Sequence, residues 1–154
     1  MRRAMWLAAA IMAFAMNATA FAGDAAWFDM NCSMCKHFME QPGLMEAMQH
    51  ESHSISNGCI MVTTVDAAHE EAYMKASQAC EVTGGKLMAG EQMPLCGMCT
   101  AIGQSMMAGA KMDMVDTDAG HLMVMTSSDP KVVEQLHMIV KRNNEEAEKM
   151  MKQG

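Results

Sequence analysis

The sequence predicts an α+β protein made of two copies of one (β)-α-β-β-α unit, with helices packed on antiparallel strands. Two observations carry this prediction. A Cys-x-Met-Cys motif at residues 32–35 returns 64 residues later at 96–99, and a strand-like stretch that begins at Gly58 returns 62 residues later at Gly120. Because the motif and the strand recur in the same order at similar spacing, we expect an internal duplication. The predicted repeats, joined in one compact domain, are 23–85 and 86–154.

The chain begins with a segment typical of a secretory signal. Arg2 and Arg3 precede an uncharged apolar run, and residues 20–22 have the small-x-small pattern that a signal peptidase accepts. The run is short for a membrane span of about 20 apolar residues, and Asn17 and Thr19 interrupt it. We therefore predict a cleaved signal at residues 1–22, a periplasmic or secreted location and no membrane span in the mature chain.

In the first repeat the pattern predicts a weak strand at 24–30, helical structure over 34–50 and then a hairpin. Pro42-Gly43 is expected to divide the helical stretch. Asn57-Gly58 is typical of a two-residue hairpin turn, and the predicted strands on either side of it are 52–56 and 59–65. A helix over 67–83, ended by Gly84-Gly85, is expected to complete the repeat.

The second repeat predicts the same order of elements. We expect a weak strand at 85–92, a helix from 97 to about 108, and a hairpin with strands at 111–116 and 121–126. The last helix begins at Pro130. Its apolar face is expected to consist of Val132, Val133, Leu136, Ile139 and Val140.

Methionine and cysteine are the residue types in excess. The chain has 23 Met and 6 Cys, and four of the methionines lie in the predicted signal. Most methionines are expected to fill the core, and a minority to act as ligands, because thioether and thiolate sulfur select Cu(I). Without the two signal arginines, the chain has 9 basic and 18 acidic side chains, which gives a formal charge of −9. This charge disfavours nucleic acid as a partner.

The two cysteine motifs are the candidate site. A Cys-x-x-Cys pair at the start of a helix places both sulfurs near free backbone N–H groups, which favours the thiolate. A thiolate serves metal ligation and disulfide exchange equally well. We predict that the metal ligands are Cys32, Cys35, Cys96 and Cys99.

Several other side chains are secondary candidates. His37 follows the first motif closely, and His121 and Met123 share a face of the second hairpin, so these three could add metal ligands. Cys59 and Cys80 are expected to form a disulfide or to remain as two buried free thiols.

Residues 30–35, Met-Asn-Cys-Ser-Met-Cys, fit the Met-x-Cys-x-x-Cys loop of heavy-metal-associated domains, and about 60 residues of the first repeat resemble those domains. The resemblance implies a ferredoxin-like βαββαβ arrangement with Cys32 and Cys35 as ligands for Cu(I) or a similar soft ion. The second repeat departs from the pattern, because Met93 lies one residue too far from Cys96 and no closing strand follows the last helix.

These observations lead to one main hypothesis and two alternatives. The main hypothesis is an exported soft-metal-binding protein for copper handling or tolerance, with Zn²⁺ as the competing ion and a metal-transport or redox protein as a possible partner. One alternative is an enzyme, a thiol–disulfide oxidoreductase, and this is the less favoured class. The other is a disulfide-stapled binding module without metal. Motifs that meet predict one tetrahedral four-thiolate site, whereas separate motifs predict two digonal Cu(I) sites.

Overall fold

The computed structural model describes residues 26–153, so the predicted signal at 1–22 lies outside the described residues. Helices and strands pack as the sequence predicts, and the α+β class is confirmed: one four-stranded antiparallel sheet is packed with helices. The elements in chain order are α1 (Lys36–Met39), α2 (Leu44–Ala47), β1 (Met48–Ile55), β2 (Gly58–Val65), α3 (Glu70–Met88), α4 (Gly97–Met107), β3 (Lys111–Thr117), β4 (Gly120–Thr126) and α5 (Pro130–Gln153).

The sheet consists of two hairpins joined through their second strands, in the order β1-β2-β4-β3. Subtracting 62 from the numbers of the β3–β4 pairs reproduces the β1–β2 pairs; Thr117 opposite Gly120, for example, becomes Ile55 opposite Gly58. Between the hairpins, Met61 pairs with Met123, and these two residues are equivalent under the same subtraction. The strands are therefore related by an approximate two-fold axis, although the duplication itself stays a prediction.

Two glycines allow β2 and β4 to approach each other. A Cβ atom on Gly58 would lie 1.8 Å from the carbonyl oxygen of Met125, and one on Gly120 would lie 2.7 Å from that of Thr63. Gly120 also has a φ of 142°, which side chains rarely adopt. The glycine that marks each hairpin in the sequence is thus required where the two hairpins meet.

The helices bury one face of the sheet. Cys59, Met61 and Met125 point toward α5, where the predicted apolar face is buried, with Val133 partly so. A smaller cluster contains Leu44, Tyr73 and Ala76, from α2 and α3. On the opposite face of the sheet the partly exposed side chains that belong to neither cluster include Ile60, Val62, Leu122 and Val124.

The predicted short strands are wrong, and two element boundaries differ from the prediction. Residues 26–30 form turns, and 85–88 belong to α3 while 89–92 lie in no strand. Helix α3 runs through Gly84 and Gly85 because it packs on the first motif; a Cβ on Gly84 would lie 3.9 Å from Met34 Cε. Strand β1 begins at Met48, since its pairing with Val65 extends the hairpin. Among the described helices, none has the length and apolar character needed to cross a membrane.

Candidate metal centre

The two cysteine motifs meet in space. The Sγ atoms of Cys32, Cys35, Cys96 and Cys99 all lie within 4.8 Å of one another. The contacts between motifs are close, with Cys35 Sγ 3.7 Å from Cys96 Sγ and 3.8 Å from Cys99 Sγ. The fold therefore brings two segments that are more than 60 residues apart in sequence into one cluster of four sulfurs.

Backbone hydrogen bonds hold the first motif in place. The N–H of Cys32 donates to Asp29 O at 3.1 Å, and the N–H of Ser33 donates to Pro94 O at 2.9 Å. The second of these bonds joins the loop of the first motif to the residues just before the second motif. Helix α1 has only four residues, so the helix dipole expected at this motif has little length over which to develop.

The second motif opens a regular helix, as predicted. Cys96 is the N-cap of α4, and its sulfur accepts a hydrogen bond from the N–H of Cys99 at 3.5 Å. The N–H groups of the two residues between these cysteines do not face the sulfurs, because Gly97 donates to Ala26 O and Met98 donates to Trp27 O. The chain entering the first repeat thus crosses the start of α4, and it needs Gly97, whose Cβ would lie 3.0 Å from the Trp27 ring.

The sulfur–sulfur distances have the size of a single-ion site. Four sulfurs at the corners of a regular tetrahedron, each about 2.3 Å from a central Zn²⁺, are about 3.8 Å apart. Two contacts between the motifs, at 3.7 and 3.8 Å, match this edge. The cluster can therefore hold one soft metal ion, since thiolates are soft ligands and all four can reach a common centre.

Burial and protonation divide the four cysteines into two classes. Cys32 and Cys96, which open their motifs, are 1% and 0% exposed, whereas Cys35 and Cys99 are partly exposed. Hydrogen bonds from Cys35, Cys96 and Cys99 hold the pKa of Cys32 well below its usual range.

The other three thiols share this network. Cys32 acts to raise the pKa of Cys96, but hydrogen bonds from Cys35 and Cys99 outweigh it and lower the pKa of Cys96 to about 7. Hydrogen bonding to Cys32 raises the pKa of both Cys35 and Cys99. The network therefore favours the thiolate form at the two buried sulfurs and the thiol form at the two partly exposed ones.

The secondary candidates lie outside the four-cysteine cluster. His37 turns toward α3, with Nε2 2.8 Å from Thr83 Oγ1. His121 is buried between two carboxylates, with Nδ1 2.7 Å from Asp116 and Nε2 2.9 Å from Glu70, so both ring nitrogens already have partners. Met123 packs against the main core cluster. The structure therefore joins none of the three to the cysteines.

Cys59 and Cys80 are free thiols in different surroundings. Cys59 is buried in the main core cluster. Cys80 lies on α3 and donates a hydrogen bond to the carbonyl oxygen of Met34, inside the first motif, at 3.2 Å. Burial, with a smaller effect of the Cys32 charge, raises the pKa of Cys80 to about 11. The two thiols are not joined in the structure, and only Cys59 is buried, because they lie in different parts of the molecule; the disulfide stays a prediction.

Sequence reasoning missed the residues that support the cluster. Pro94 and Cys80 each bond to the first motif from a distant part of the chain, and Ala26 and Trp27 bond to the second. Neither periodicity nor motif spacing marks them, because each acts through a contact that exists only after folding.

No family model matches the chain, and comparisons with curated proteins and with solved structures gave no match either. The resemblance to heavy-metal-associated domains stays a prediction. The case for a function therefore comes from the geometry and chemistry of the four-cysteine cluster.

Proposed function

We propose that this chain is an exported protein that binds one soft metal ion between its two repeats. The observation that carries the proposal is the meeting of the two motifs, with their sulfurs within 4.8 Å of one another. The proposed ligands are Cys32, Cys35, Cys96 and Cys99. Four protein ligands leave no open position on a tetrahedral ion, which favours binding of the metal over hydrolytic chemistry at the metal.

Zn²⁺ is the first ion that we propose for this site. The contacts of 3.7 and 3.8 Å match the tetrahedron that a four-thiolate zinc site requires. Zn²⁺ has no geometric preference of its own from its d electrons, so it accepts the arrangement that the ligands impose. A zinc ion would also join the two repeats near their Ser33–Pro94 contact and would stabilise the folded chain.

Cu(I) is the second candidate, and the excess of methionine and cysteine favours it. Soft thiolate and thioether ligands select Cu(I). A role in copper handling requires that the ion can leave. Cys35 and Cys99 are partly exposed, so a partner protein that supplies its own thiolates can reach the ion from that side.

The oxidoreductase alternative has less support. Such an enzyme attacks a substrate disulfide with an accessible thiolate, and the nucleophile expected here is the first cysteine of each Cys-x-x-Cys pair. Those cysteines, Cys32 and Cys96, are 1% and 0% exposed. The disulfide-stapled alternative also has less support, because the six cysteines of the described chain are free.

Metal content tests the proposal. The chain is purified without oxygen, and zinc, copper and iron are measured by elemental analysis. We expect one ion per chain. The double variant Cys32→Ser/Cys35→Ser is expected to lose it entirely, because two remaining thiolates cannot complete a tetrahedron. Cys59→Ala is the matched control, since it removes a cysteine that lies in the main core cluster, outside the four-cysteine cluster, and it is expected to keep the ion.

Three results would decide against the proposal or refine it. Protein that is metal-free and holds two intact disulfides would overturn it. Half of the metal retained in the double variant would show two independent sites in place of one. Competition between Zn²⁺ and Cu(I) under anaerobic conditions identifies the ion, and Co²⁺ provides an optical probe, because its absorption reports a tetrahedral thiolate environment directly.

A further inference from the structure

The outer edge of the sheet at β3 carries methionines where packing does not require them. Every residue of Lys111–Thr117 is exposed. Met112 and Met114 are 40% and 51% exposed, on a strand that has a neighbour on one side only. Natural edge strands usually carry charged side chains that protect them from pairing with other chains. Two exposed thioethers on such a strand therefore call for an explanation other than core filling.

The core-filling explanation does hold for the methionines one strand further in. Met61 and Met125 are buried in the main cluster beside α5. Met112 is paired directly with Met125, and Met114 with Met123. Paired residues share a face of the sheet. These two pairs, Met112–Met125 and Met114–Met123, therefore form one continuous sulfur-rich area that runs from the core to the solvent.

Three of these side chains are placed to share an ion. Residues directly opposite each other in an antiparallel pair have Cβ atoms about 5 Å apart, and diagonal neighbours are about 7 Å apart. Met114 and Met123 are the direct pair, and Met112 is the diagonal neighbour. A methionine side chain has three rotatable bonds beyond Cα, enough to bring the three sulfurs to a common point. Met125 is fully buried and cannot contribute.

We propose that Met112, Met114 and Met123 form a second metal site, a three-thioether site for a soft monovalent ion such as Cu(I). This methionine site is separate from the cysteine cluster and does not depend on which ion the cysteines bind. Thioethers are neutral, so the site leaves the ion its positive charge and binds it more weakly than thiolates do. The ion enters and leaves as Cu(I), so no electron is transferred.

The surrounding charge suits a cation. Asp116 lies two residues beyond Met114 on the same face, and its side chain is exposed. The chain as a whole has 18 acidic side chains against 11 basic ones. Zn²⁺ and the alkali ions prefer harder ligands than thioethers, so charge attracts cations in general while the sulfurs select the soft ones.

Methyl NMR of methionine tests the site residue by residue in the full chain. Cu(I) is delivered without oxygen from a chelator of known affinity until the thiolates are saturated, and further Cu(I) is then added. The additional Cu(I) is expected to shift the Cε methyl signals of Met112, Met114 and Met123. Met150 and Met151, which are 56% and 75% exposed on α5, are the matched controls and are expected to stay unshifted. Equal shifts at all exposed methionines would overturn the proposal.

A pair of variants provides the second test. Met112→Leu/Met114→Leu keeps the apolar volume and removes two sulfurs, so the fold is preserved and the weaker Cu(I) affinity is expected to fall at least tenfold. Met150→Leu/Met151→Leu is expected to leave that affinity unchanged. The cysteine double variant should do the reverse of the methionine variant, losing the tightly bound ion and keeping the weak one. Unchanged weak binding in Met112→Leu/Met114→Leu would refute the site, whatever ion the cysteines hold.

Discussion

The two predicted repeats each contain a hairpin of the same register and differ in the helices that precede it. Both hairpins have the same register once 62 is subtracted from the second, with Gly58 and Gly120 at equivalent positions. The first cysteine motif leads into two four-residue helices, α1 and α2, whereas the second leads into the eleven-residue α4. The strands therefore form a symmetric frame, and the segments that present the cysteines are not symmetric.

This difference shows that the two halves of the cysteine cluster are ordered in different ways. The second motif is held by its own helix, in which Cys96 caps the first turn. The second motif also has distant partners, since Gly97 and Met98 donate to Ala26 and Trp27, but these add to a regular helix. The first motif leads into a helix of only four residues and depends on distant contacts, with Pro94 accepting from Ser33 and Met34 accepting from Cys80. A metal ion would thus join one half that is already organised to another that only the completed fold organises.

The largest expected effect breaks the symmetric frame itself. Gly58→Ala would place a Cβ atom 1.8 Å from the Met125 carbonyl oxygen, and backbone cannot move aside as a side chain can. We expect a loss of about 3 kcal/mol or more in the free energy of unfolding, measured by urea denaturation. Gly85→Ala is the control, because the added Cβ would meet nothing within 4 Å. This substitution is expected to stabilise α3 by about 0.5–1 kcal/mol. Equal effects of the two substitutions would contradict the close approach of β2 and β4.

The next effect concerns a position at which the repeats differ, where Cys59 of the first corresponds to His121 of the second. His121 contacts Asp116 and Glu70 and stacks on the Tyr73 ring with centroids 4.1 Å apart. His121→Phe keeps the ring but loses both polar contacts, and we expect a destabilisation of about 2 kcal/mol.

The control for this prediction is an exposed pair of the same kind. His53→Phe removes the contact between His53 and Glu51 on β1, where both side chains are mostly exposed. Its expected effect is below about 0.5 kcal/mol, because exposed ion pairs contribute little. If both substitutions cost the same in urea denaturation, the buried contacts of His121 contribute no more than surface contacts do.

A third prediction separates the two motifs by their local stability. Removal of the bound metal with a chelator is expected to speed amide hydrogen exchange at least tenfold, about 1.4 kcal/mol, in the first motif and α1. Exchange within α4 is expected to change by less than about threefold, because the helix retains its own hydrogen bonds. Exchange measured by mass spectrometry provides both numbers. An equal change in the two segments would show that the motifs are ordered in the same way.

The smallest effect is the pH dependence of the reduced, metal-free chain. The lowered pKa values of Cys32 and Cys96, the latter about 7 in place of 9.0, add stability as the pH rises from about 7 toward 9, and this stability is lost as the pH falls again. The raised pKa values of Cys35 and Cys99 remove stability above pH 9.

Stability is therefore expected to pass through a maximum near pH 9. Denaturation midpoints measured from pH 6 to pH 10.5 test this expectation. The variant Cys32→Ser/Cys96→Ser should lack the rise between pH 7 and 9. A rise of the same size in that variant would assign it to groups outside the cysteine cluster.

Local sequence signals predicted the hairpins and two of the longer helices. Asn57-Gly58 and the alternation around it located the first hairpin, and the apolar spacing from Pro130 located α5. Other boundaries depended on packing that no local signal records. Helix α3 passes through Gly84-Gly85, although each glycine costs about 1 kcal/mol in a helix, because the helix packs on the first motif there.

The cysteine cluster was predictable in its members and only partly in its geometry. Spacing singled out the two motifs and allowed either one shared site or two separate ones. Which of these occurs depends on the pairing of β2 with β4 and on the Ser33–Pro94 hydrogen bond, and both connect residues about 60 positions apart. The supporting role of Cys80 could not be inferred either. Cys80 supports the cluster only through its hydrogen bond to Met34, and it belongs to no motif.

The pairing of Met61 with Met123 has a consequence for how the chain folds in a crowded solution. Since the two hairpins have the same register, the β2 edge that accepts β4 within one molecule also fits a β2 edge from another molecule. Such an exchange of partners is the usual origin of domain-swapped dimers and of aggregates in repeat proteins. The yield of monomer on refolding should therefore fall as protein concentration rises, and an ion bound by all four cysteines, as proposed, would favour the intramolecular partner.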